Sequence, residues 1–358
     1  MRKKLVGMLT TATLLTMALA GNVQAAEIRS VGPDGEAAVD ASTIELTDDQ
    51  IAQIKEGGYT AAICLHYGGN DWSTSQQKGL EDTFGELGIE IVAVTDANFS
   101  AETQVSNIET VMAKKPDILV SIPTDATATA DAYKQAAAAG IKIIFMDQRA
   151  NGLEAGKDYV SVVSADNYGN GYVSGTVLGD ALGGKGKVAM VYYDANFAPT
   201  NQRDEGFRDA MKNYPDIEIV TEQGFTDESG CAEQGDAILT QFPNIDGIYA
   251  SWDVPMEGVL SAVRAAGMEG KVTLACNDLG NNVAREIAAG TIAGGGAQMP
   301  YDQGVAEAKL AALSLLGEET PSYVAVPAET VTHENVLEAY TDVYHVETPD
   351  WLKEAYVD

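Results

Sequence analysis

The sequence predicts an α/β protein built as two doubly wound parallel-sheet lobes, and three observations carry that prediction. From Tyr59 onward, short β-branched runs alternate steadily with Ala-rich amphipathic segments, the pattern of strands joined by covering helices. The strand-like runs are almost continuously apolar, as a sheet buried on both faces requires. There are about nine of them, more than one doubly wound sheet holds comfortably.

The elements follow in order. Arg2, Lys3 and Lys4 precede an apolar stretch over 5–20, and Val23-Gln24-Ala25 supplies a cleavage site after Ala25. Residues 1–25 therefore read as a signal peptide. The apolar stretch is short for a membrane anchor, and no Cys stands near the cleavage site to carry a lipid. The expected product is a free, exported chain. Residues 27–43, rich in Gly, Pro, Asp and Glu, read as a flexible arm. Thr47-Asp48-Asp49-Gln50 then has capping-box spacing and opens a short helix toward Lys55. Residues 26–58 together form an N-terminal arm.

Strands are expected at 59–66, 89–95, 117–123 and 142–147, and a second set at 187–193, 217–223, 247–253, 272–278 and 292–298. Helices are expected at 75–87, 103–114, 126–139, 168–182, 200–213, 255–266 and 301–316. A further strand-like run, Tyr159-Val160-Ser161-Val162-Val163, follows the Gly-rich turn at 151–156 and places the seam between lobes near 158–167.

Composition narrows the function. The 358 residues carry 22 Lys+Arg against 53 Asp+Glu, a formal charge of −31. Nucleic-acid phosphates and anionic membrane surfaces would be repelled. Cys64, Cys231 and Cys276 are too few and scattered for a disulfide framework. Cys64 and Cys276, in apolar runs, read as buried thiols. His66, His333 and His345 lie too far apart for a zinc site, so no metal and no cofactor is expected. No G-x-S-x-G elbow and no G-x-G-x-x-G after a strand is present. Gly179-x4-Gly184-Lys185 imitates a phosphate loop, but Gly186 replaces the Ser or Thr, and the loop precedes a strand instead of following one.

In open α/β sheets ligands bind beyond the carboxyl ends of the strands. Here those ends read Asn70-Asp71-Trp72, Asp96-Ala97-Asn98, Pro123-Thr124-Asp125, Asp147-Gln148-Arg149, Asp194-Ala195-Asn196, Trp252-Asp253, Asn277-Asp278 and Gln298. Asp and Asn also favour turns and helix caps, so each alone is ordinary. Eight together, with Arg203, suit a saccharide or polyol. Carboxylates and amides hold hydroxyls in a fixed plane, an aromatic face covers the C–H side of a sugar ring, and Arg donates a fork.

These pieces, in this order, resemble the type I periplasmic sugar-binding proteins, the ribose-binding group of ABC-importer solute receptors. The likeness runs from Tyr59 to about Thr332 through Gly69-Asn70-Asp71-Trp72, Ile122-Pro123-Thr124-Asp125, Ile144-Phe145-Met146-Asp147-Gln148, Ser164-Ala165-Asp166-Asn167, Gln202-Arg203-Asp204-Glu205-Gly206-Phe207, Trp252-Asp253, Asn277-Asp278 and Ala297-Gln298. It implies ligand contacts from Asn70, Trp72, Asp147, Gln148, Arg203, Trp252, Asp253, Asp278 and Gln298. Three departures stand out: the usual Asp-Arg pair is Asp147-Gln148 with Arg149 displaced, Trp252 replaces an Asn, and Ser73 replaces a second aromatic. Phe225 or Thr226 is the candidate to supply the missing contact.

The resemblance also implies a hinge and chain crossings near 159–164, 298–300 and 323–327. The first lobe would be 59–160 with 299–326, and the second 161–298 with 327–358. The function implied is a periplasmic, monomeric, non-enzymatic receptor that captures a monosaccharide or polyol for an ABC import permease. The alternatives are a sugar sensor for a chemoreceptor or kinase and a sugar-processing enzyme. A DNA-binding repressor lacks its helix-turn-helix.

Overall fold

The computed structural model describes residues 27–357; the expected signal peptide lies outside them. The first half of the chain gives β1 (Val39–Asp40), α1 (Asp48–Gly57), β2 (Thr60–Leu65), α2 (Asp71–Leu87), β3 (Glu90–Asp96), α3 (Ala101–Lys114), β4 (Ile118–Ser121), α4 (Ala130–Ala138), β5 (Lys142–Met146) and β6 (Ser161–Ala165). The chain crosses to a second lobe with α5 (Asn167–Ala181), β7 (Lys185–Tyr193), α6 (Ala198–Met211), β8 (Asp216–Phe225), α7 (Cys231–Gln241), β9 (Gly247–Ala250), α8 (Asp253–Ala265), β10 (Thr273–Cys276), α9 (Asn281–Ala288) and β11 (Gly294–Ala297). It returns with α10 (Pro300–Leu315) and β12 (Tyr323–Val326), then crosses again to β13 (Glu329–Thr332), α11 (Val336–Tyr344) and α12 (Asp350–Ala355).

The first sheet has seven strands in the order β1-β12-β6-β5-β4-β2-β3, and the second six in the order β13-β11-β10-β9-β7-β8. Every pairing is parallel except β11 with β13. Each sheet has apolar clusters on both faces: Ile63, Val120 and Ile144 on one side of the first and Ala62, Leu119 and Phe145 on the other. The two-lobed, doubly wound α/β prediction is met.

Two expectations need correction. The first lobe extends past the bound expected at 160: β6 pairs with β5 and β12, so its sheet runs on to Ala165, inside the seam expected near 158–167. The apolar run at 159–163 leads into a strand of that sheet, Ser161–Ala165, which β12 later flanks on its other side. The arm is also ordered. Val39 and Asp40 pair with Val324 and Ala325, because the outer edge of β12 offers backbone groups that an extended segment satisfies. The helix expected from Thr47 forms with both capping-box bonds in place. Helices α7, α9, α11 and α12 were not anticipated.

One close approach positions the site. Helices α5 and α6 cross at glycines. A Cβ on Gly171 would sit 1.8 Å from the Arg203 carbonyl oxygen, and one on Gly206 would sit 2.1 Å from that of Tyr168. Only glycine permits this contact, and it sets Arg203 beside the start of α5. All three cysteines are buried and unpaired.

Candidate functional site in the interlobe cleft

A cleft lies where the carboxyl ends of both sheets face each other. His66, Tyr67, Asn70, Trp72, Phe99 and Asp147 line it from the first lobe. Tyr193, Phe197, Thr200, Arg203, Trp252, Asp253, Asp278 and Gln298 line it from the second. Eight of the nine residues expected from sequence are there. Gln148 is not.

The geometry of the first-lobe face starts at helix α2. The Asn70 side-chain oxygen accepts the Ser73 N–H at 2.7 Å and caps the helix, while its amide nitrogen donates to the Tyr67 hydroxyl. Asn70 is thus committed to local structure at the edge of the cleft. Trp72, in the first turn of α2, has a buried indole N–H without a partner among the described residues. His66 and Phe197, from opposite lobes, stack at 5.6 Å. Burial pushes the His66 imidazole down to about 3, so it is neutral at neutral pH.

Asp147 follows β5 with φ 53°, in the left-handed region that Asp tolerates better than most residues. Its Oδ1 accepts from Ser164 Oγ at 3.1 Å, the Ala165 N–H at 3.2 Å and Gln303 Nε2 at 3.2 Å. Oδ2 receives no donor among the described residues. Burial raises the carboxyl above its ordinary range, against the pull of Arg203.

The second-lobe face is a polar network. Arg203, 5% exposed, donates from Nε to Asn167 Oδ1 at 2.9 Å and from Nη1 to the Ser251 carbonyl at 3.2 Å and Asp278 Oδ2 at 3.1 Å. Asp278 Oδ1 accepts Gln298 Nε2 at 2.7 Å, and Gln298 Oε1 has no partner among the described residues. Asp253 Oδ1 accepts the Val254 N–H at 2.9 Å. Burial, and then the charge of Asp278, push its carboxyl well above the usual range. The Trp252 indole donates to Glu228 at 2.8 Å and stands edge-on to Tyr193.

Gln148 bridges the lobes behind the cleft. Its Nε2 donates to the Pro123 carbonyl at 2.8 Å, and its Oε1 accepts the Ala198 N–H at 3.1 Å. A second bridge closes the other rim: both oxygens of Asp71 accept from Asn281, one from the backbone and one from the side chain, each at 2.8 Å. Phe225, the candidate for a missing aromatic, packs behind Tyr193 and Trp252 and does not line the cleft. The sequence reading missed His66, Tyr67, Phe99, Tyr193, Phe197 and Thr200. The available signal was the aromatic content at the ends of β2, β3 and β7.

Residues 61–319 match the family described as the periplasmic binding protein domain. The chain belongs to this family. Among curated relatives, the ribose import binding protein of Salmonella typhimurium is 24% identical over 272 residues, covering 76% of this chain and 90% of the relative. The D-ribose/D-allose-binding protein of Pseudomonas aeruginosa is 29% identical over 273 residues, covering 73% and 83%. Among solved structures, an ABC transporter periplasmic solute-binding protein from Actinobacillus succinogenes with bound D-allose is similar at TM-score 0.72 and 28% identity, covering 78% of this chain and 99% of its own. One from Agrobacterium vitis bound to α-D-tagatopyranose gives TM-score 0.74 and 26% identity, with 80% and 98% covered. The resemblance drawn from the ordered motifs and the type I periplasmic binding protein fold are both met. Among the described residues no helix is long and apolar enough to cross a membrane.

Proposed function

We propose that this periplasmic binding protein captures a monosaccharide or polyol between its lobes and delivers it to an ABC import permease. The observation that carries the reading is the set of polar atoms left open in an aromatic-walled cleft. Among the described residues, Gln298 Oε1 is buried without a donor and the Trp72 N–H without an acceptor, and the hydrogen bonds to Asp147 all fall on Oδ1, leaving Oδ2 free to accept. Hydroxyl groups serve as both, and aromatic rings cover a sugar's C–H faces. The names of the relatives point the same way. In this reading the protein performs no chemistry: it is exported after cleavage at Ala25, acts in the periplasm as a monomer, and works by closure of the cleft on its ligand.

Titration calorimetry with D-ribose, D-allose, D-xylose, D-arabinose, D-tagatose and myo-inositol tests this. At least one binds, and Asp147→Asn, which suits the left-handed backbone, weakens that ligand about ten- to a hundredfold. Absence of binding across the set, or an unaffected Asp147→Asn variant, counts against the sugar site drawn here.

A further inference from the structure

The family match begins at residue 61, and the arm before it reaches across the hinge. Its tip binds at the first crossing. The Arg29 and Ser30 N–H groups donate to the two oxygens of Asp166 at 2.9 and 2.8 Å. Ser30 Oγ donates to the same carboxylate at 2.7 Å and accepts the Tyr168 N–H at 3.0 Å. Asp166 links β6 of the first lobe to α5 of the second and caps α5 through the Gly169 N–H. One turn further along α5, the Arg29 guanidinium lies 3.8 Å above the ring of Tyr172.

The root of the arm belongs to the first lobe. Val39 and Asp40 are strand β1 on the first sheet, and Asp34 accepts both arms of the Arg149 fork at 2.7 Å each. The piece between root and tip is stiff. Val31 bridges Ala37 in antiparallel fashion, and the Gly32 N–H donates to the Glu36 carbonyl at 2.8 Å. Ser30 is therefore tied through a closed hairpin to the first sheet while it grips the opening turn of the second lobe's first helix.

We propose that residues 29–34 are a hinge strap that stabilises the closed arrangement, with Arg29 and Ser30 as positioning residues for ligand capture. Rotation of the second lobe swings α5 about its N-terminus. The tip must then release Tyr172 and Tyr168 or pull the hairpin off its anchors, and either loses contacts that closure keeps. None of these residues lines the cleft, so they act on binding only through the open–closed equilibrium. The affinity arm of the test rests on the binding reading above; the ligand-free arms do not.

The test uses the full chain with Arg29→Ala/Ser30→Ala. Without ligand, small-angle scattering should show a larger radius of gyration. The Asn281 amide, which donates across the cleft to Asp71, should exchange about three- to tenfold faster, with β4 amides unchanged. Arg29→Lys keeps a cation over Tyr172 and should recover part of the effect. If wild type binds D-allose, the double variant should bind it about three- to tenfold more weakly. Should the double variant lose thermal stability, Arg29→Ala alone carries the same readouts, since its side chain is exposed. Unchanged scattering and unchanged Asn281 exchange overturn the strap. A wild type that binds none of the sugars, with scattering and exchange still responding to Arg29→Ala, overturns the sugar reading and leaves the strap standing.

Discussion

On the first-lobe side of the cleft, rings hold one another. His66 is edge-on to Tyr67, Trp72 and Phe99, and Tyr67 stacks on Phe99 at 4.2 Å. On the second-lobe side, charges hold one another: Arg203 is locked by Asn167, Ser251 and Asp278, and Gln298 braces Asp278. The first wall is ordered by packing, which tolerates the loss of one partner. The second is ordered by buried charge, which does not, since removing one member strands the others. Binding strength and fold stability should therefore separate on the first wall and fall together on the second.

The largest expected effect is on the second wall. Arg203→Ala leaves Asp278 buried and unpaired, and it should cost about 3–5 kcal/mol of folding stability as well as binding. Denaturant unfolding and calorimetry on one preparation check this; a variant as stable as wild type would break the comparison.

The next effect concerns pH, where the walls pull in opposite directions. Asp204, directly behind Arg203 and bonded to Ser251 at 2.6 Å, has its carboxyl pushed up to about 7 by burial. In the folded state it holds its proton up to that pH, while the unfolded chain releases it near 3.8. Its contribution therefore falls as pH rises from about 4 to 7. His66 does the reverse. Folded, it stays neutral down to about 3, whereas the unfolded chain takes up a proton near 6.5, so acidification below 6.5 is destabilising. Thermal melts from pH 4 to 8 should show His66→Gln gaining stability toward acid and Asp204→Asn losing it. Parallel profiles in the two variants would show that neither group titrates as assigned.

The smallest effect is the sharpest test of the first wall. Trp72→Ala should weaken ligand binding by about 1–2 kcal/mol through lost ring contact and remove most of the ligand-induced change in tryptophan fluorescence. Trp252, whose N–H is held by Glu228, should contribute little to that signal. A full-sized change in the Trp72→Ala protein would move the reporter to the other wall.

The alternation of apolar runs located both sheets, and the polar strand ends located most of the cleft, because strand direction alone determines where those ends emerge. What stayed hidden depends on distant partners. The arm looked flexible by composition, yet Ser30 is ordered by Asp166, a residue far along the chain. Gln148 looked like a ligand contact because it follows Asp147. The left-handed backbone at Asp147 precedes a side chain that runs instead to Pro123 and Ala198. The expected lobe boundary falls short because the strand-like run at 159–163 shows no sheet to belong to until β12, far along the chain, lies beside it.

That last pairing sets a timetable. Ser161–Ala165 lies in its sheet between β5 and a strand made of Tyr323–Val326, and the outer position of β1 is filled only against that same late strand. The first lobe to be started is thus held unfinished, since its sheet stays open on one edge while the second lobe is made from α5 through β11, and the second lobe then waits in turn for β13. Such long-range closure slows folding, and a nascent chain that ends between Asp166 and Ser322 carries an unpaired parallel edge at β6. The two lobes are interleaved in time as well as in sequence, and neither can be released from the ribosome as a finished half.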